Sequence, residues 1–163
     1  MKLRLLQKKD AERMMEWMHD PSVVEKLQTD FAGKSLDDCL NFISNSTEGN
    51  NFHLAITDDN DVYMGTVSLK HITDDDAEFA IAVHKDAMGH GYAIGAMKEM
   101  IRQGFEKYKI RSIYWCVAPD NYRALRFYDK NHFMRVNVWK LRVAGDYTEK
   151  QKEKYVWYQV RRS

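Results

Sequence analysis

Apolar residues change their spacing several times along this chain, and each change marks an element. Leu3, Leu5 and Leu6 open a short strand. After Asp10, the residues Ala11, Met14, Met15 and Met18 recur at helical spacing, which predicts a helix with Asp10 as its N-cap. Asp20-Pro21 ends that helix, because the residue before a proline avoids the helical region. A second helical piece runs through Val23, Val24 and Leu27. Ser35 and Asp38 resemble a capping box, and Leu36, Cys39, Leu40 and Ile43 form the apolar face of the helix behind it. Three strands follow: Phe52 to Ile56, Val62 to Leu69 and Ala77 to Val83. The acidic turns Asp58 to Asp61 and Asp74 to Asp76 separate them, and such short connections predict an antiparallel meander.

The spacing then returns to a helical period. Gly89-His-Gly91 opens an amphipathic helix with Ile94, Met97, Met100, Ile101 and Phe105 facing inward. Ser112 to Val117 reads as a buried strand. Pro119-Asp-Asn121 starts a helix holding Ala124, Leu125 and Tyr128. Phe133 to Val143 reads as a strand, Lys150 to Lys154 as a solvated basic stretch, and Tyr155 to Val160 as the last strand. The whole predicts an α+β fold with a mixed, mostly antiparallel central sheet of about seven strands. One β-α-β crossover makes 77–83 and 112–117 parallel. Only two prolines occur and no linker or repeat, so residues 1–163 are expected to form a single domain.

Composition narrows the function classes. With 163 residues, 44% of them hydrophobic, the chain can build a core without disulfides or metal. The longest apolar run, Ile113 to Ala118, falls far short of the ~20 residues that cross a bilayer, so no membrane partner is expected. The opening MKLRLLQKKD has no secretory apolar segment. Cys39 and Cys116 stand in no metal or redox spacing and suit a reducing compartment, so a cytoplasmic location is expected. The net charge of +1 conceals an asymmetry. Residues 1–80 hold 8 Lys+Arg against 16 Asp+Glu, a net of −8, and residues 81–163 hold 17 against 8, a net of +9. Such a division can mark two surfaces with different partners; the alternative is that the halves intermix in one domain and their fields largely cancel. The basic stretches at Lys150–Lys154 and Arg161-Arg162 are better explained as solvated surface than as a nucleic-acid site.

Candidate chemistry sits in Met88-Gly-His-Gly-Tyr-Ala93, between a strand and a helix. Glycines let the backbone approach a ligand, and a helix N-terminus offers unpaired N–H groups with about half a positive charge. Together they suit a diphosphate. A dinucleotide fold is rejected, because a meander precedes the turn and only one crossover exists. A P-loop is excluded, because no Gly-Lys-Ser/Thr closes the turn.

The second element is Asn121-Tyr-Arg-Ala124-Leu-Arg-Phe-Tyr128-Asp-Lys130-Asn-His-Phe133. With the glycine turn before it, the sequence resembles the GNAT superfamily of acyl-CoA N-acetyltransferases. Gly91 and Ala93 fill the last two places of that family's Arg/Gln-x-x-Gly-x-Gly/Ala signature. Asn121, Ala124, Tyr128, Lys130 and Phe133 match its Asn-to-Phe signature. Met88 stands where the family has Arg or Gln, and His132 where it has Gly. The opening residues, with Asp10-Ala, Glu16-Trp17 and Asp20-Pro21, look like the branch holding ribosomal-protein N-terminal and amino-sugar acetyltransferases.

The resemblance implies direct transfer of an acetyl group from acetyl-CoA to a primary amine of a small molecule or peptide. It implies a splayed parallel strand pair, with the backbone of Ile81, Ala82 and Val83 along the pantetheine arm. Met88, Gly89, His90, Gly91, Tyr92, Ala93 and Ile94 would hold the diphosphate. Asn121 would reach the pantetheine or adjacent backbone. Arg126, with Lys85, Arg123 and Lys130, would meet the phosphates and make up for the base missing at Met88. Tyr128 is the candidate acid for the leaving thiolate, and Glu78 the candidate base for the amine. Trp17, His71 and Trp115, with His53, are candidates to line the acceptor pocket. No metal is needed, and none of the histidines has ligand spacing. A catalytically silent acetyl-CoA sensor is the alternative. A monomer or homodimer is expected.

Overall fold

The fold is described from a computed structural model in which all residues, 1–163, are placed. Strand β1 (Lys2–Leu5) is followed by helices α1 (Ala11–Met18), α2 (Pro21–Val24) and α3 (Leu36–Ser44). Strands β2 (Phe52–Thr57), β3 (Tyr63–Lys70) and β4 (Asp76–Val83) come next, then α4 (Tyr92–Lys107) and β5 (Ser112–Val117). The chain ends through α5 (Tyr122–Lys130), β6 (Met134–Val136), α6 (Glu149–Lys154) and β7 (Val156–Arg161).

The seven strands form one sheet in the order β1-β2-β3-β4-β5-β7-β6. Every pair is antiparallel except β4 with β5, as the single crossover through α4 requires. That parallel pairing covers only Asp76↔Ser112, Ala77↔Ile113 and Glu78↔Tyr114. Both strands continue, to Val83 and to Val117, without pairing to each other. The sheet therefore splits at its centre, as the family resemblance implied.

Two layers of side chains flank the sheet. Alternation sends Ala77, Phe79 and Trp115 to the face covered by α4 and α5, where they pack with Met97, Met100 and Tyr128. The opposite face is covered by α1 and α3, whose Met14, Trp17, Cys39 and Ile43 pack on Ala55, Tyr63 and Ala82. Beyond the split, β3 and β4 lie very close. A Cβ added at Gly65 would stand 2.5 Å from the carbonyl oxygen of Ala82. Gly65→Ala is expected to cost about 1–3 kcal/mol through overpacking. That corresponds to a thermal midpoint lower by about 2–12 °C for a chain of this size, read by calorimetry. An unchanged midpoint would show that β4 yields freely.

Three expectations need correction. The strand expected from Phe133 to Val143 stops at Val136. Asn137 turns the chain there: its side chain accepts from the Trp139 N–H and sets a 3-10 turn at Val138–Lys140. The stretch read as solvated tail is helix α6, capped by Thr148 and Gln151 in a reciprocal box. Asp10 stands at the N-cap of α1, but its side chain makes no capping bond. Its carboxylate accepts from Arg4 at 2.8 and 2.9 Å and from the Gln7 N–H at 2.8 Å. No helix is long and apolar enough to cross a membrane.

Candidate active site

The split is the natural place for a ligand, because Phe79 to Val83 keep backbone groups unpaired on the side facing β5. Ile81, Ala82 and Val83 are half-buried along that edge. The glycine turn lies just beyond it. Gly89 has φ 80° and Gly91 φ 77°, in the left-handed region that glycine enters freely. Nothing lies within 4 Å of a Cβ added at either position, so the turn has open space around it. Gly91 caps α4 without any side-chain hydrogen bond, and α4 is sixteen residues long. Its first N–H groups are therefore free to meet an anion. His90 is exposed, while Met88, Tyr92, Ala93 and Ile94 are half-buried. An extended edge strand leading into an open N–H cradle fits a pantetheine arm ending in a diphosphate.

The basic groups are sorted by position. Arg123, in the first turn of α5, brings Nη1 to 3.4 Å from the Met88 sulfur. It thus stands beside the residue where the family carries its own base. Arg126 and Lys85 are exposed, with no such contact to the turn. Asn121 caps α5 by accepting from the Ala124 N–H at 3.3 Å, so its carboxamide oxygen serves adjacent backbone. His132, where the family has glycine, adopts φ 66°, in the left-handed region that glycine enters freely.

The two candidate catalytic groups lie on opposite faces of the split. Tyr128 is buried, 7% exposed, among Trp115, Phe127, Phe133 and Tyr158, with ring centroids 5.1–6.2 Å away. Burial pushes its phenol above the ordinary tyrosine range, so it holds its proton at neutral pH. Glu78 is 3% exposed and is the last residue of β4 paired with β5. Its Oε2 accepts from the Tyr147 hydroxyl at 2.6 Å. Its Oε1 is buried without a hydrogen-bond partner, 3.5 Å from His71 Nε2.

The predicted acceptor residues separate. His71 stands against Glu78. Trp115 lies on the other face, beside Tyr128 and stacked on Tyr158, with its indole N–H buried and unpartnered. Trp17 is absorbed by the core under α1, where its N–H donates to Tyr63 Oη at 2.8 Å. His53 is buried and bonded to Ser68, and burial drives it down to about 4, so it is neutral at physiological pH. Cys116 is no nucleophile, because burial pushes its thiol up to about 11.

Two residues at the site escaped the sequence reading. Gln28, in the segment between α2 and α3, reaches Cys116 Sγ at 3.1 Å, and Tyr147 reaches Glu78 from the loop before α6. The two are 3.1 Å apart, 119 positions distant in sequence. No spacing rule joins them. The Thr148-to-Gln151 capping box was the one local signal that this loop is structured.

Known proteins resemble this chain in sequence and fold. A family model described as an acetyltransferase (GNAT) domain matches residues 1–134. The acetyltransferase PseH of Campylobacter jejuni is 24% identical over 128 residues, 78% of this chain and 79% of that protein. Among solved structures, the spermidine N-acetyltransferase of Vibrio cholerae in complex with CoA and spermine superposes with a TM-score of 0.78 at 17% identity. The match covers 98% of this chain and 94% of that one. A GNAT-family acetyltransferase from Bacillus anthracis gives 0.74 at 19% identity, covering 98% and 93%. The chain therefore belongs to the GNAT family, the acyl-CoA-dependent N-acetyltransferases, with acetyl-CoA as its co-substrate.

Proposed function

We propose that this enzyme passes the acetyl group of acetyl-CoA directly to the primary amine of a small molecule, with both substrates held across the split. The observation that carries this reading is the placing of Glu78 and Tyr128 on opposite faces of the same gap. The Glu78 face holds a buried carboxylate oxygen with no hydrogen-bond partner, 3.5 Å from His71 Nε2. An alkylammonium titrates near ~10.4 and has no lone pair, so it must lose a proton before attack. Glu78 Oε1 is the acceptor for that proton. Unpaired N–H groups along Ile81 to Val83 stabilise charge developing on the carbonyl oxygen. Tyr128 donates its proton to the departing thiolate on the other face. No covalent enzyme intermediate is called for, in keeping with the raised thiol of Cys116.

On the cofactor side, the backbone from Gly89 to Ile94 takes the diphosphate, and Arg123 supplies the positive charge that Met88 lacks. Arg123→Ala is expected to raise the KM for acetyl-CoA about five- to tenfold with kcat unchanged, as loss of a charge-assisted contact to phosphate implies. Equal KM values would remove Arg123 from the site. The spermidine acetyltransferase fold and the acidic first half support a cationic acceptor of polyamine type.

The test is acetyl-CoA turnover over a panel of polyamines, amino sugars, aminoglycosides and peptide N-termini, with calorimetry of CoA binding alongside. Turnover of one class supports the reading. CoA binding with no amine acetylated would point to a silent sensor, and absence of CoA binding would defeat both.

A further inference from the structure

Glu78 is held in an unusual way for a buried carboxylate. One oxygen is engaged at 2.6 Å by Tyr147, and the other has no donor. The Tyr147 hydroxyl also lies 3.1 Å from Gln28 Oε1, and its oxygen stands 3.6 Å from Cys116 Sγ. It carries one proton, and that proton goes to the charged and nearer acceptor, Glu78 Oε2. The carboxylate is thereby held in orientation, with Oε2 turned to Tyr147 and Oε1 left without a hydrogen-bond partner.

We infer that Tyr147 is a positioning residue for the reaction: it fixes the Glu78 carboxylate so that Oε1 alone is presented to the acceptor amine. The inference rests on Glu78 acting as the base. Tyr147 earns this role through how its own loop is anchored. Arg142 pairs with Asp75 at 2.8 Å, and the Ala144 N–H donates to the Tyr114 hydroxyl at 3.2 Å. The Tyr147 ring packs edge-on against Trp157, with centroids 5.3 Å apart. The loop is thus held by contacts that do not involve the Tyr147 hydroxyl. Removing that oxygen leaves the ring seated and takes away only the hydrogen bond to Glu78.

The groups around Glu78 are few. Tyr147 comes from the loop, His71 from the connection after β3, and Lys70 occupies the paired position on β3. Tyr114 and Cys116 come from β5, and both phenol and thiol are held protonated there by burial. Only Tyr147 makes a hydrogen bond to the carboxylate, so losing it makes the ionised form harder to keep.

The experiment is a carbon-13 titration of glutamate side-chain carboxyls, with the Glu78 signal assigned by its absence in Glu78→Gln. In Tyr147→Phe the Glu78 midpoint is expected to move to higher pH by about one to two units relative to wild type, the shift that one hydrogen bond to a charged group supports. An unchanged midpoint overturns the inference. The double variant Tyr147→Phe with Gln28→Leu should move it no further, and a second, additive shift also overturns it, since the lock would then lie in Gln28. The titration needs no acceptor, so it is decided separately from the functional reading, whose failure appears as an amine panel without turnover.

Discussion

Tyr128→Phe is expected to lower kcat about 100-fold or more, within the 10²–10⁴ range of general acid–base catalysis, while leaving the KM for acetyl-CoA near its original value. The expectation follows from what the residue touches. Its ring is packed among Trp115, Phe127, Phe133 and Tyr158, all of which a phenylalanine would still meet. The fold should stand, with the thermal midpoint little changed. What disappears is a proton that burial holds in place well above the ordinary range of a phenol. The sign is definite: a raised phenol stays protonated as pH climbs, so the acid form persists to at least pH ~10, where a free tyrosine titrates. The deficit of the variant should accordingly be constant across the working range. A pH-rate comparison, with a solvent isotope effect to show that chemistry limits kcat, is the measurement. An undiminished kcat under those conditions would remove Tyr128 from the chemistry.

The residues that were legible in sequence are those whose role is local. Gly89 and Gly91 announce a turn because their backbone angles are forbidding to other residues, and both take positive φ. Asn121 announces a helix start because its side chain serves a backbone N–H three residues on. These signals travel with the chain, and so the unit from β4 through α5 could be placed before any coordinates. The residues that were misread or missed are those whose side chains are claimed by partners that no spacing rule supplies. Asp10 has the look of a cap, but Arg4 on the neighbouring strand captures its carboxylate. Trp17 is a candidate in sequence to line the acceptor pocket, but Tyr63, 46 positions on, claims its N–H in the core. Tyr147 has no signature, because its partner Glu78 is 69 positions away, on β4. The apolar alternation from Met134 to Val138 suggested a long strand, and a single side-chain bond from Asn137 was enough to end it.

Arg4→Met is expected to destabilise the fold by about 3–5 kcal/mol, the cost of breaking a buried ion pair and leaving its partner charged. Asp10 is 2% exposed and Arg4 18% exposed, so the two ends of this pair are unequal. With Arg4 gone, the Asp10 carboxylate stays in the interior with only the Gln7 N–H to meet it. With Asp10 gone, Arg4 still reaches Asp61, at 2.5 Å, and is partly solvated. Asp10→Asn should therefore cost less than Arg4→Met, about 1–3 kcal/mol for the lost charge-assisted bonds. The double variant should recover part of the Arg4→Met loss, because a neutral amide tolerates the site better than a carboxylate without its cation. Thermal midpoints should follow, with Arg4→Met lower by about 6–20 °C at the 2–4 °C per kcal/mol typical of this chain length. Urea titration gives the three free energies directly. Equal losses for the two single variants would contradict the asymmetry. The pair stands immediately before α1, and α1 carries two side chains to the neighbouring ends of β3 and β4. Arg13 donates to the Tyr63 carbonyl at 2.6 Å, and Glu16 takes the Nε2–H of His84, at the end of β4, at 2.6 Å. His84 Nδ1 accepts from the Asp86 N–H, so the proton is on Nε2 and the bond to Glu16 is satisfied. A chain that loses its Arg4–Asp10 anchor should loosen that edge of the sheet first, the face proposed above for the acceptor. Arg4→Met assayed well below its thermal midpoint should show a raised acceptor KM with the acetyl-CoA KM unmoved.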